Sequence, residues 1–128
     1  MYAVERKADA VELMQENCAQ LFVPNVNVVR GTAPEALRAL PAPTHVFLGG
    51  SGGNLREIME QAMEKNPHVR MVVTAIALES VAEMTALAKE MHFTEFEAVC
   101  VNIARGRRAG NYHLMTGQNP IYIFTCQA

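Results

Sequence analysis

The 128-residue chain lacks several things whose absence narrows its function. No apolar run approaches the ~20 residues needed to cross a bilayer, and no signal-peptide pattern is present. Positive charge is not in excess: 11 Lys and Arg stand against 13 Asp and Glu, a net charge of −2. A nucleic-acid partner normally demands a basic field, so none is expected. Cysteine is sparse, with Cys18, Cys100 and Cys126 scattered and odd in number. They have neither CxxC spacing nor the look of a disulfide framework, which favours reduced thiols. His45, His68, His92 and His113 show no metal-ligand spacing, and no metal is assigned. There is no pattern of a nucleophilic triad, no P-loop, no internal repeat and no linker. The expectation is a soluble cytoplasmic protein of one domain, residues 1–128, without membrane or nucleic-acid partners.

What the chain does have is alternation. Short β-rich runs, Tyr2 to Val4, Val26 to Val29, His45 to Leu48 and Val69 to Ile76, are separated by helical patterns. Val11, Met14, Cys18 and Leu21 fall on one helical face; so do Leu55, Ile58, Met59, Ala62 and Met63. Thr32 with Glu35, and Ser80 with Glu83, have capping-box spacing, and Asn54 is placed to cap the third helix. Val69 to Ile76 is almost continuously apolar, as in a strand buried on both faces. Two strands, Glu95 to Ala104 and Ile121 to Thr125, close the chain with no helix between them. The order β-α-β-α-β-α-β-α-β-β predicts a mostly parallel sheet with helices on both faces. Its last strand is antiparallel, joined through a long hairpin.

Ligands of open α/β sheets bind beyond the carboxyl ends of the strands. Glu5, with Arg6 after it, ends the first strand and is either an acceptor for ribose hydroxyls or a solvated turn charge. Gly31, Thr32 and Ala33 follow the second strand and either line an adenine pocket or simply cap a helix. Gly49, Gly50, Ser51, Gly52 and Gly53 form the most unusual stretch, where bare backbone lets a ligand approach and aims amides at it. Arg105, Arg107 and Arg108 can pair with several carboxylates, or are an ordinary charged loop. Tyr112 and His113 follow them.

The segments YAVERKADAVELMQEN, GTAPEAL, HVFLGGSGGNLREIME and GNYHLMTGQNPIYIF together resemble the decarboxylating precorrin methyltransferases of cobalamin biosynthesis. The likeness is to cobalt-precorrin-6B C15-methyltransferases and to the C-terminal domain of precorrin-6Y C5,15-methyltransferases, and it runs along the whole chain. It implies a class I, Rossmann-like three-layer fold and S-adenosyl-L-methionine as methyl donor. It also implies a corrin precursor as substrate, methylated at carbon 15 with loss of carbon dioxide from the ring C acetate. By position, Glu5 and Arg6 meet the cofactor ribose, Gly31, Thr32 and Ala33 flank the adenine, and Gly49 and Gly50 lie by the methyl group. Ser51, Gly52, Gly53 and the three arginines then face the substrate, with Tyr112 and His113 as the catalytic candidates.

The likeness departs at two points. Thr32 stands where the family has an acidic residue, in the form GDAPE. The family also begins with a strand and a glycine-rich loop that would precede Tyr2, and that strand lies centrally in the sheet. The sheet is therefore expected in two pieces, one of two strands and one of four, whose unpaired edges invite a homo-oligomer. Two other functions stay open on the sequence: an incomplete domain without turnover, or a class I methyltransferase acting on RNA or protein.

Overall fold

The computed structural model describes residues 1–128. Strand β1 (Tyr2–Glu5) pairs in parallel with β2 (Asn27–Arg30), placing Glu5 opposite Arg30. Parallel neighbours need a crossover, and α1 (Ala8–Gln20) provides it. A 3-10 turn at Glu35–Leu37 follows, then β3 (His45–Leu48), α2 (Leu55–Lys65), β4 (Arg70–Ala75) and α3 (Leu78–Glu90). The chain closes with β5 (Glu95–Val101), β6 (Ala104–Ala109), β7 (Tyr112–Gly117) and β8 (Ile121–Gln127).

Pairing sorts these strands into a two-stranded sheet β1-β2, a four-stranded sheet β3-β4-β8-β5, and the separate ribbon β6-β7. Strand β3 runs parallel to β4, while β8 is antiparallel to both of its neighbours. The expected division into two and four strands is thus observed, as is the antiparallel last strand. Because β8 opposes both β4 and β5, those two point the same way. The carboxyl ends of β3, β4 and β5 therefore share one edge.

The core lies between α2, α3 and one face of the four-stranded sheet. Leu55, Met59 and Ala62 of α2, and Met84 and Leu87 of α3, meet Met71, Val73 and Ala75 of β4 and Phe124 and Cys126 of β8. Full burial of a side chain such as Leu55 or Met59 stabilises by roughly 1.5–3 kcal/mol. The opposite sheet face is more open: Phe47 is 70% exposed and Val99 43%. Register puts both on the side of Val72 and Ile123, away from Val73 and Phe124.

Four local expectations are corrected. Strand β4 is buried on one face and half-buried on the other, because helices α2 and α3 cover only the Met71 side. The Thr32–Glu35 box does not form; Pro34 precedes a 3-10 turn held by the Leu37 to Pro34 and Arg38 to Glu35 backbone bonds. Helix α3 begins at Leu78 behind Ala77, so Ser80 sits inside its first turn and caps nothing. Finally, the long strand expected through Ala104 ends at Val101, and a new ribbon starts at Ala104.

Helix α1 shows how little the small sheet can bury. Of its expected apolar face only Val11 is buried, while Leu21 beyond its end is 72% exposed. A two-stranded sheet has too little apolar area to cover a 13-residue helix.

Candidate functional site

Three turns at strand carboxyl ends are joined by hydrogen bonds. At the end of β1, one oxygen of the Glu5 carboxylate accepts the Lys7 backbone N–H at 2.8 Å. This fixes the carboxylate and leaves its second oxygen uncommitted. The Glu5 carbonyl accepts the Gly31 N–H at 3.0 Å, tying the turn after β1 to the turn after β2. Gly31 needs to be glycine, since a Cβ there would lie 2.7 Å from the Ala36 Cβ. Thr32 is exposed and contributes its carbonyl to the Ala36 N–H, while Ala33 is half-buried. Arg6 is exposed and makes no ion pair.

The glycine run follows β3. Gly52 and Gly53 have φ of +62° and +92°, a region that suits glycine and strains other residues. Gly50 has ordinary φ, and a Cβ there would meet nothing within 4 Å. Two of the four glycines are therefore explained by the turn; Gly50 is bare backbone facing open space. Gly49 is nearly as free, with only the Phe47 ring at 3.4 Å. Ser51 organises the turn: its hydroxyl accepts the Gly53 N–H at 3.4 Å and its carbonyl accepts the Asn54 N–H at 3.1 Å.

Asn54 precedes α2 but does not cap it with its side chain. Its amide instead donates to the Ala33 carbonyl at 3.2 Å. That bond joins the turn after β2 to the glycine run, so the carboxyl ends of β1, β2 and β3 form one edge. A cavity of about 30 Å³ lies beside the run, lined by Gly50, Ser51, Thr74 and Ser80 among others. It has room for a water or two and no more. Beyond β4, Ile76 and Leu78 are 65% and 76% exposed, giving this edge an apolar margin.

The hairpin β6-β7 rises from the same edge, where the Gln118 N–H bonds the Ile103 carbonyl at 2.8 Å. Its strand alternation separates residues that the sequence groups together. Arg107 faces Leu114, Arg105 faces Thr116 and Ala109 faces Tyr112, so Arg105, Arg107 and Tyr112 share one side. Arg108 and His113 are paired on the other side. Arg107 bonds the Thr116 hydroxyl at 3.0 Å and Arg108 the Gly110 carbonyl at 3.2 Å, whereas Arg105 makes neither kind of contact. All five side chains are exposed.

By sequence, Asn54 and Ser80 have only the placement of helix caps, and Thr74, Ile76 and Leu78 lie outside the candidate turns. Thr74 had one signal, being the only hydroxyl in an apolar run. A larger hollow, about 460 Å³, lies elsewhere, among Cys18, Phe22, Val23 and Val26 at the amino end of β2. It shares no residue with the strand-end turns. No helix is long and apolar enough to cross a membrane.

Comparison with known proteins agrees with this geometry. A family model described as a precorrin methyltransferase domain matches residues 1–128. Along its whole length the chain is 35% identical to a probable cobalt-precorrin-6B C(15)-methyltransferase (decarboxylating) of Pyrobaculum calidifontis, and it spans 66% of that protein. A precorrin-6Y C5,15-methyltransferase from Geobacter metallireducens superposes with a TM-score of 0.87 at 30% identity, covering 99% of this chain and 67% of the other. A SAM-dependent O-methyltransferase from Thermotoga maritima gives 0.70 at 13% identity over 98% of this chain and 48% of its own, a likeness of fold alone. The architecture is that of class I, Rossmann-like methyltransferases. The chain spans about two thirds of the length of the curated relatives it matches, 66% and 64% for two of them.

Proposed function

Because the chain belongs to the precorrin methyltransferase domain family, we propose that it acts in S-adenosyl-L-methionine-dependent methylation of carbon 15 of a precorrin or cobalt-precorrin. The reaction includes decarboxylation of the ring C acetate and belongs to cobalamin biosynthesis in the cytoplasm. The observation that carries this reading is the hydrogen-bonded seam of Glu5, Gly31, Ala33 and Asn54 at the carboxyl ends of β1, β2 and β3. Ligands of such sheets bind there.

The residues fit the cofactor. Glu5 has a fixed carboxylate with one oxygen available for ribose hydroxyls, and Arg6 lies beside it. Gly31, Thr32 and Ala33 would border the adenine, and the open backbone of Gly49 and Gly50 admits a group pressed against it. When bound, S-adenosyl-L-methionine supplies an electrophilic methyl group. The accepting nucleophile is a carbon of the substrate, so the chain need not supply a base. Its contribution is proximity and orientation, which can be worth several orders of magnitude.

For the substrate, Ser51, Gly52 and Gly53 with the exposed Ile76 and Leu78 offer an apolar margin suited to a macrocycle. The hairpin arginines would pair with its acetate and propionate groups. Arg105 and Arg107 act together with Tyr112, or Arg108 acts with His113, because one flat ligand meets one side of the ribbon. Carbon dioxide departs leaving its electron pair in the macrocycle, and a proton then replaces it. The chain's share of that step is to orient and desolvate the leaving carboxylate. Unpaired strand edges and the almost wholly exposed ribbon favour a homo-oligomer.

The test is turnover. A precorrin-6B-type substrate incubated with the chain and the methyl donor should gain one methyl and lose one carbon dioxide by mass spectrometry. An unchanged substrate mass with folded protein contradicts the proposal.

A further inference from the structure

We infer that Asn54 is a positioning residue for the adenosyl cofactor, holding the turn after β2 against the glycine run; the inference rests on the reading above. Asparagine at a helix start ordinarily turns its side chain onto the first free N–H groups of its own helix. Asn54 does not. Its half-buried side-chain amide reaches 21 residues back to the Ala33 carbonyl at 3.2 Å. Its backbone remains in the glycine turn, with N–H to the Ser51 carbonyl at 3.1 Å and carbonyl to the Ile58 N–H at 3.1 Å. One residue thus connects the adenine-side turn to the methyl-side turn.

A second clamp makes this role separable from folding. At the far end of α2, Lys65 donates to the carbonyls of Leu37 and Arg38 at 2.7 and 2.9 Å, and to that of Leu40. Asn54 and Lys65 lie about 16 Å apart along the helix at 1.5 Å per residue. Lys65 holds the end of the loop remote from the strand-end turns, and Asn54 holds the end beside them. Loss of the Asn54 bond therefore leaves the loop attached while freeing Thr32 and Ala33 to move relative to Gly49 and Gly50. The cofactor bridges those two turns, so its affinity should report the coupling.

Asn54→Asp is the discriminating variant. Aspartate caps helices as well as asparagine, but sets an acceptor against the Ala33 carbonyl. Asn54→Ser, which caps but is too short to reach Ala33, is its companion. Titration calorimetry with S-adenosylhomocysteine should show affinity falling about tenfold in both variants, with the urea midpoint at the wild-type value. In turnover, KM for the methyl donor should rise while kcat holds. Wild-type affinity in both variants overturns the inference alone. A midpoint that falls in step with affinity makes Asn54 structural and also overturns it. Failure of the wild-type chain to bind S-adenosylhomocysteine removes the functional reading and this inference together.

Discussion

The backbone carbonyl of Glu5 accepts the Gly31 N–H at 3.0 Å, which ties together the turns that end β1 and β2. With the Glu5 carboxylate also held by the Lys7 N–H, its free oxygen has a fixed direction. Glu5→Gln keeps the shape and removes the charge. It should weaken S-adenosylhomocysteine about tenfold, the loss of a charge-assisted hydrogen bond. Stability should stay within about 0.5 kcal/mol, as for most surface changes. Calorimetry and urea denaturation on the same sample check both halves.

The glycine run separates into conformational and functional positions. Gly53→Ala forces φ of +92° on a side chain and should destabilise by about 1–2 kcal/mol. Gly50→Ala meets no neighbour and should leave the urea midpoint unchanged. Its methyl would occupy the approach to the backbone, so ligand affinity should fall severalfold. A Gly50→Ala chain that binds normally would show that the bare backbone there serves nothing.

The two sides of the hairpin carry different groups. Because Arg105 and Arg107 lie opposite to Arg108 and His113, the double variants Arg105→Ala/Arg107→Ala and Arg108→Ala/His113→Ala should differ. One should lower kcat/KM by tenfold or more and the other by less than about twofold. Equal losses would contradict engagement of one side by one macrocycle.

Cys126 provides a test of the core rather than the site. Burial raises its thiol from 9.0 to about 11. Folding thus disfavours the thiolate, so this contribution is complete below the unfolded value and is lost as pH climbs through the folded one. Between about pH 9 and pH 11 the wild-type chain should lose more stability than Cys126→Ala does. At pH 8 a thiol reagent should label exposed Cys100 and leave Cys126 unmodified until urea is added.

The fold was readable where periodicity reported burial directly. Leu55, Ile58, Met59 and Ala62 repeat at helical spacing and all are buried. The alternation of strands and helices likewise implied the parallel run of β3 and β4, and the missing helix before the last strand implied the reversed β8. It misled where a residue type suits two local roles. Ser80 and Asn54 both look like caps, but the helix begins before one, and the other is drawn away by a carbonyl distant in sequence. The ribbon β6-β7 escaped because glycine and arginine in β6 carry no apolar alternation. The candidate turns were legible as compositional oddities at strand ends. Their connection through Ala33 and Asn54 was not, because it depends on how two sheets meet.

The most direct measurement of the central claim is a backbone NMR titration of the wild-type chain with S-adenosylhomocysteine. Amide shifts should concentrate at Glu5, Gly31 to Ala33, Gly49 to Gly53 and Asn54, the turns joined at the strand ends. Shifts confined to Cys18, Phe22, Val23 and Val26 around the larger cavity, or no shifts at all, would contradict it.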